Sequence, residues 1–395
     1  MPRPPLDPVP AHPARLNLTL SLSPIVGLGI GRFAYALVLP DMRETLHWSY
    51  SAAGFMNTVN AAGYLLGALM ASRLIRWAGW SAVIRSGTLA ALASLAVCAG
   101  SDNFIVLSLA RLVAGIGAGV AFVAGGALAA RVAQSVPERA SFILSLFYAG
   151  PPLGIVASGL IAPFVLQAFG PGSWWIVWLA LTALGAVLTI PLLLTPIPAA
   201  PAVADGSGER FSLRPMAVYL LSYFLYGAGY IAYLTFMIAY VRDLGAGAAA
   251  QAGFWCLIGL AGFTTPWVWR RVLILDRGGL STAILLTVNA IGAGLPMLGH
   301  APLLLALSAV VFGLAFSAVT TTTTAFVRFN TPPAAWAPAI AALTIVFGIG
   351  QTLGPLAVGA ITDALGSLDA ALAVSAALLL LAALLAAMQG KLKKA

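Results

Sequence analysis

The chain has 395 residues, of which 61% are hydrophobic and 8% are charged, and its mean hydropathy is +0.98. A soluble globular domain carries about 25% charged residues, so this composition cannot cover a water-facing surface and excludes a soluble protein. We therefore expect an integral membrane protein. The net charge of +9 reflects basic loops on one side of the membrane rather than nucleic-acid binding.

Twelve stretches along the chain are long and apolar enough to cross a bilayer, which requires roughly 20 mostly apolar residues. The predicted fold class is an all-α membrane protein with twelve transmembrane helices. The predicted spans are 16–39, 50–72, 82–100, 104–130, 141–168, 174–194, 216–241, 250–270, 280–299, 303–328, 337–361 and 369–388.

The widest polar gap, 195–215, divides the spans into a first six-helix bundle at 16–194 and a second at 216–390. Residues 1–15 are rich in proline and are predicted to be a disordered tail, and 391–395 form a short basic tail. We expect 195–215 to be a linker between the bundles.

Basic residues fall on one side of the predicted membrane. If the amino terminus is cytoplasmic, the outer loops hold only Arg43 and Arg242, and two arginines lie inside helices. The other sixteen of the twenty Lys and Arg residues are then cytoplasmic. Lys and Arg accumulate in cytoplasmic loops, so the pattern predicts that both termini are cytoplasmic.

The two bundles repeat one sequence pattern. GIGRFAY at 29–35 recurs as GAGYIAY at 227–233, 198 residues later, and glycines of the fifth helix recur in the eleventh at an offset of 200. Six helices return the chain to the same side, so the bundles are parallel pseudo-symmetric copies. Transporters built this way bind substrate near the membrane midplane at the repeat interface. Such a site would contact both Arg32 and its counterpart Tyr230.

LSLARLVAGIGAG at 107–119 and GPPLG at 150–154 resemble two motifs of the major facilitator superfamily of bacterial-type transporters. The first is an arginine followed by glycines in the fourth helix, and the second is associated with antiporters. The resemblance implies alternating access by a monomer. It also implies packing or gating roles for the following residues: Gly115, Gly150, Pro151 and Gly154. Ala71 stands where the family has an aspartate after helix 2, a departure from its cytoplasmic gate.

Two charged residues, Arg32 and Arg111, lie within predicted spans, and charges at membrane depth are functional candidates by default. All eleven acidic residues fall in tails, loops or predicted helix ends, so we expect an anionic substrate to supply the counter-charge. A structural role for either arginine is the alternative. If protons are coupled to transport, a rim residue such as Asp41 or the substrate itself would carry them.

Helix 7 carries tyrosines at helical spacing on one face, and this face predicts a cavity wall or a helix seam. Tyr226, Tyr230 and Tyr233 are candidate substrate contacts together with Tyr35. Weaker candidates are polar residues in other helices, which could instead join helices to one another: Asn57, Asn60, Thr320 and Gln351.

The sequence predicts no enzyme, cofactor or metal site, because histidines lie in the tail and outer loops and no acid pair or Cys/His cluster lies in a span. We expect a secondary active transporter of a small organic solute, more specifically an organic anion, in a bacterial inner membrane. Efflux of lipophilic or cationic compounds by an antiporter is the alternative. A coupling proton or a counter-substrate is a further possible partner.

Overall fold

The computed structural model describes residues 11–197, 212–273, 275, 278–332 and 335–392. Most of the predicted disordered tail, most of the linker and the end of the basic tail lie outside these residues. Within them, the regular structure is helical and contains no β-strand.

Among the described residues, eleven helices are long and apolar enough to cross a membrane. One of them, Tyr50–Ala99, has 50 residues and is interrupted at Gly79, whose φ of 78° and ψ of 166° are not helical. Counting the two sides of Gly79 separately gives twelve spans, in agreement with the predicted fold class. Glycine is suited to this turn because residues with a Cβ rarely adopt that backbone conformation.

We number the helices in chain order. They are α1 Pro13–Thr45, α2 50–78, α3 80–99, α4 Phe104–Gln134, α5 Pro137–Phe169, α6 Trp174–Leu194, α7 Arg214–Asp243, α8 Ala248–Val268, α9 Leu280–Leu298, α10 Pro302–Asn330, α11 Pro338–Leu365 and α12 Leu368–Met388.

One helix has an irregular backbone inside the membrane-spanning region. Helix α1 is π-helical over Ile25–Phe33. Helix α5 at Ala149 and helix α10 at Ser317 keep right-handed helical backbone angles.

Two compact units make up the chain. The first comprises Met1–Leu46 and Val59–Ala204, and the second comprises His47–Thr58 and Asp205–Ala395. In the first unit, α1 packs against α4, α5 and α6. In the second, α7 packs against α11 and α12, and α10 packs against α8 and α9.

Glycines bring helices of the first unit into backbone contact. A Cβ on Gly63 or Gly67 of α2 would overlap the backbone of α4, and one on Gly115 or Gly119 would overlap the backbone of α2. Small residues permit such close approach in membranes, where packing replaces the hydrophobic effect as the force between helices.

Candidate functional site

The π-helical stretch of α1 reads IVGLGIGRF and follows Pro24, which lies inside the helix. Backbone bonds in a π-helix run to the fifth residue rather than the fourth, and such stretches are frequent at functional sites. Arg32 lies at the end of this stretch and is 3% exposed. The prediction that a charged residue lies inside α1 agrees with this structure, but the sequence did not predict the π-helical backbone around Arg32.

Arg111 of α4 holds this stretch from the side. Its Nη1 donates to the carbonyl oxygen of Gly31, and its Nη2 donates to that of Arg32 over 3.4 Å. The guanidinium also lies 4.9 Å from the ring centre of Tyr35 and 5.8 Å from that of Trp178. Backbone carbonyls and aromatic faces thus surround its charge, which links α4 to the π-helical part of α1.

Arg32 extends toward α2. Its guanidinium carbon lies 5.1 Å from the ring centre of Tyr64 and 6.0 Å from that of Phe33, distances at which a cation is attracted to an aromatic ring. Because Arg111 binds the carbonyl of Arg32, both predicted arginines belong to one neighbourhood of the first unit.

Tyr64 is a member of this neighbourhood that our sequence reasoning missed. It follows Asn60 by four residues and Asn57 by seven, so all three lie along one side of α2. That spacing could have identified it.

The two predicted asparagines of α2 have separate roles. The Nδ2 of Asn60 donates to the carbonyl of Arg111 over 3.0 Å and joins α2 to α4 in the first unit. The Nδ2 of Asn57 donates to the hydroxyl of Thr235 over 2.6 Å and joins α2 to α7 in the second unit. Both side chains therefore connect helices.

The tyrosine face of α7 is buried inside the second unit, so it does not face lipid. Four of its hydroxyls have hydrogen-bond partners on other helices, as buried phenols require. The pairs are Tyr219 with Thr282, Tyr226 with the carbonyl of Phe316, Tyr230 with Gln351 Oε1 and Tyr233 with Ser308.

Phe347 of α11 stacks on this face. Its ring centre lies 4.8 Å from that of Tyr223, 5.5 Å from Tyr226 and 5.7 Å from Tyr230, with interplanar angles of 15°, 18° and 9°. Four nearly parallel rings therefore form one aromatic stack, which we call the Phe347 stack. Sequence periodicity identified the tyrosines, but Phe347 lies on another helix and left no comparable signal.

The threonines at 320–324 of α10 differ in their burial and in their hydrogen bonds. Thr320, the predicted candidate, is exposed, and its hydroxyl donates to the carbonyl of Ser317. Thr322 is buried and accepts a hydrogen bond from Thr282, which in turn is bonded to Tyr219. Thr322 is thus the residue of the run that joins the polar interior of the second unit.

The motif glycines lie in packing seams of the first unit. A Cβ on Gly154 of α5 would lie 2.6 Å from the Cα of Gly29 and 2.7 Å from the carbonyl oxygen of Ile25. One on Gly150 would lie 2.7 Å from the carbonyl of Ser21, and one on Gly29 would lie 2.8 Å from the carbonyl of Pro151. This part of α5 therefore packs directly against the π-helical stretch of α1 and the residues just before it.

Asp41 differs from our expectation of a rim residue. The carboxylate is 3% exposed and accepts hydrogen bonds from the backbone N–H groups of Gly172 and Trp174, each over 2.9 Å. It caps the start of α6, where a negative charge also meets the positive end of the helix dipole. Helix α1 continues to Thr45, past the predicted end at 39, because Asp41 points into the protein.

Across the part of the chain that the structure describes, no group of three or more His, Cys, Asp and Glu residues could hold a metal ion. The buried polar groups of the described residues are chiefly guanidinium groups, phenols, hydroxyls and amides, with the Asp41 carboxylate and the Cys98 thiol in the first unit.

Residues 24–387 match the model of a family described as "Uncharacterised MFS-type transporter YbfB". The chain belongs to this family of the major facilitator superfamily. The transporter is also 25% identical over 233 residues to the "Uncharacterized MFS-type transporter YceJ" of Bacillus subtilis (strain 168), an alignment that covers 56% of this chain and 57% of YceJ. The match thus spans little more than half the length of that curated relative.

Solved structures show the same fold. The nucleoside transporter NupG, solved as a single-residue mutant, superposes with a TM-score of 0.74 at 14% identity, and the match covers 95% of this chain and 98% of NupG. A bacterial homologue of the human lysosomal transporter Spinster, inward-facing and occupied, gives a TM-score of 0.68 at 16% identity with 96% of each chain covered.

Family and fold together confirm two predictions made from the sequence, the superfamily and the all-helical membrane architecture, and the family is one of transporters rather than enzymes.

Proposed function

We propose that this transporter is a secondary active carrier of a small organic anion and that Arg32 binds the anionic group. The observation that carries the proposal is a buried guanidinium at the end of an irregular, membrane-embedded stretch of α1. A charged residue at membrane depth is a functional candidate, and arginine's planar fork suits carboxylate or phosphate.

Arg111 serves a different purpose in this proposal. Its hydrogen bonds to the carbonyls of Gly31 and Arg32 hold the π-helical stretch and so orient Arg32. Tyr35, which faces the Arg111 guanidinium, contributes to the same support.

In the second unit we propose that Tyr226, Tyr230, Tyr233 and Gln351 contact the uncharged part of the solute. Their hydroxyls and amide already bind one another or neighbouring helices, which presents a fixed aromatic surface. Thr320, which is exposed, is a weaker candidate than its neighbour Thr322.

A second candidate function rests on the Phe347 stack. Its nearly parallel rings suit a planar, uncharged or cationic solute, because flat rings stack on aromatic faces. NupG, whose fold this chain shares, is a nucleoside transporter, and a nucleoside has a planar base without charge. Efflux of lipophilic or cationic compounds is the form of this alternative that the GPPLG motif favours.

Transport is proposed to occur by alternating access, with bundles 16–194 and 216–390 rocking about a central site and 195–215 linking them. We further propose a monomer in a bacterial inner membrane with both termini cytoplasmic, coupled to a proton or a counter-substrate. The concentration of Lys and Arg residues in the loops on one side of the predicted spans supports this orientation.

The first test is a thermal-shift screen of purified protein against mono- and dicarboxylates, nucleosides and organic cations. A ligand at a hundred times its Kd stabilises the folded state by about 2.7 kcal/mol. Carboxylates are expected to raise the melting temperature of the wild type and of Arg43→Gln, in which a partly buried arginine at the end of α1 is changed. They are expected to leave the melting temperature of Arg32→Gln unchanged.

Arg111→Lys separates support from binding. It keeps the charge but loses the fork that bonds two carbonyls, so the protein should melt earlier yet still respond to carboxylates. If only nucleosides or cations stabilise the wild type, and Arg32→Gln responds as the wild type does, the anion proposal is wrong and the aromatic alternative replaces it.

A further inference from the structure

A cluster of aromatic rings joins three helices of the first unit next to Arg32. We call it the Phe122 cluster, and its members are Tyr64 of α2, Phe122 of α4, and Phe147 and Tyr148 of α5. The ring centre of Phe122 lies 6.5 Å from that of Tyr64 and 5.7 Å from that of Phe147. Tyr148 lies 6.0 Å from Phe122 and 5.3 Å from Phe147, edge to face in both cases. Aromatic rings attract one another at these separations.

The members of the Phe122 cluster differ in how far they are covered. Phe147 is fully buried, whereas Tyr64 and Phe122 are partly buried and Tyr148 is 49% exposed. A Cβ on Gly125 of α4 would lie 2.9 Å from Cε2 of Phe147, so a glycine makes room for the buried ring. The buried ring fixes the position of the others, and these keep part of their surface uncovered.

The side chain of Tyr148 lies along α4. Its hydroxyl oxygen is 3.4 Å from the place that a Cβ on Gly126 would take. Tyr148 belongs to the span Pro137–Phe169, and within the described part of the chain its hydroxyl makes no hydrogen bond. Hydrocarbon offers a phenol no partner at membrane depth. A polar group on a bound solute would supply one.

The Phe122 cluster begins where the charge of Arg32 ends. The Arg32 guanidinium carbon lies 5.1 Å from the ring centre of Tyr64, and Phe122 continues the series of rings on the other helix. A carboxylate held by Arg32 would therefore have aromatic surface beside it. A short aliphatic acid would leave that surface uncovered, and an uncharged ring compound would not use the charge.

We propose that the Phe122 cluster binds an aryl group of the solute, so that the substrates are aryl-substituted carboxylates. The inference deepens the proposed function and rests on it for the carboxylate end, whereas the aryl site depends only on rings of the first unit. It differs from the alternative based on the Phe347 stack, which belongs to the second unit.

The test compares three compounds on purified full-length protein in detergent by isothermal titration calorimetry. Butyrate has the acid alone, phenylbutyrate adds a terminal ring, and phenylbutanol has the ring without the charge. Phenylbutyrate is expected to bind wild type about tenfold more tightly than butyrate or better, because it removes an aromatic ring from water. Arg32→Gln should lose both acids.

Substitutions in the Phe122 cluster locate the aryl group. Tyr148→Leu and Phe122→Leu each remove a ring and keep an apolar side chain. Each should weaken phenylbutyrate binding about two- to tenfold, the size of an aromatic pair interaction, and leave butyrate binding unchanged. Tyr148→Phe keeps the ring and should bind phenylbutyrate as the wild type does. The matched control is Phe142→Leu, which changes a ring that is 56% exposed on the same helix.

Equal affinity of the wild type for butyrate and phenylbutyrate would overturn the aryl site, and this comparison needs no variant. Unchanged phenylbutyrate binding in both Tyr148→Leu and Phe122→Leu would overturn it too, as would a loss confined to Phe347→Leu. In each case butyrate binding that still requires Arg32 leaves the anion proposal intact.

Failure of the anion proposal gives a different result. If neither acid binds but phenylbutanol does, and Tyr148→Leu weakens it, the aryl site is supported and the anion proposal is rejected.

Discussion

Gly154 offers the sharpest test of the contact between α5 and the π-helical stretch of α1. In Gly154→Ala the new Cβ would lie 2.6 Å from the Cα of Gly29 and 2.7 Å from the carbonyl oxygen of Ile25. Carbon atoms normally approach to about 3.5–4.0 Å, so α5 must withdraw from α1 by roughly 1 Å. Both obstructing atoms belong to the backbone, and no side-chain rotation relieves the overlap.

Overpacking of this kind costs about 1–3 kcal/mol, and we expect the upper end of that range. Withdrawal of α5 also loosens the stretch that carries Arg32, so the carboxylate response should weaken as well. The assay is the melting temperature in detergent, measured with and without carboxylate.

The control for this change is Gly253→Ala. Gly253 is exposed on α8, and a Cβ there would meet nothing within 4 Å. Alanine is favoured over glycine inside a helix by about 1 kcal/mol, so this variant should melt at or above the wild-type temperature. Equal melting of the two alanine variants would refute the packing role assigned to Gly154.

Two further substitutions test single features. Asp41→Asn weakens the cap of α6 and should lower stability by about 1–2 kcal/mol while the response to carboxylates stays unchanged. The control, Asp102→Asn in an exposed loop, should change neither stability nor the response. If Asp41→Asn loses the response and melts at the wild-type temperature, Asp41 is a functional acid and not a cap. Gly79→Ala forces alanine into a conformation that costs about 1–3 kcal/mol in open space, and a melting temperature matching that of Gly253→Ala would show that the turn is not strained.

The spans were predictable because they depend on apolar length alone. The predicted span 174–194 coincides with Trp174–Leu194, and 104–130 falls within Phe104–Gln134. Helix α1 was predicted too short at its outer end because Pro40 and Asp41 ended the apolar run, whereas in the structure the Asp41 charge is buried against α6.

The site was predictable in its residue types but not in its geometry. Charge in an apolar span identified Arg32 and Arg111, and helical spacing identified the tyrosines of α7. Nothing local distinguishes the two arginines, because the carbonyls that Arg111 binds lie about 80 positions earlier in the chain.

The π-helical stretch has a consequence for aligning this transporter with its relatives and with its own second half. A π-helical turn holds more residues than an α-helical turn. The direction in which a side chain of α1 points after Phe33 therefore cannot be counted from the residues before Ile25 with the period of an α-helix. Helix α7 is regular α-helix over Ala217–Asp243. Tyr230 therefore need not point in the same direction as Arg32, although the two residues occupy equivalent positions of the 198-residue repeat.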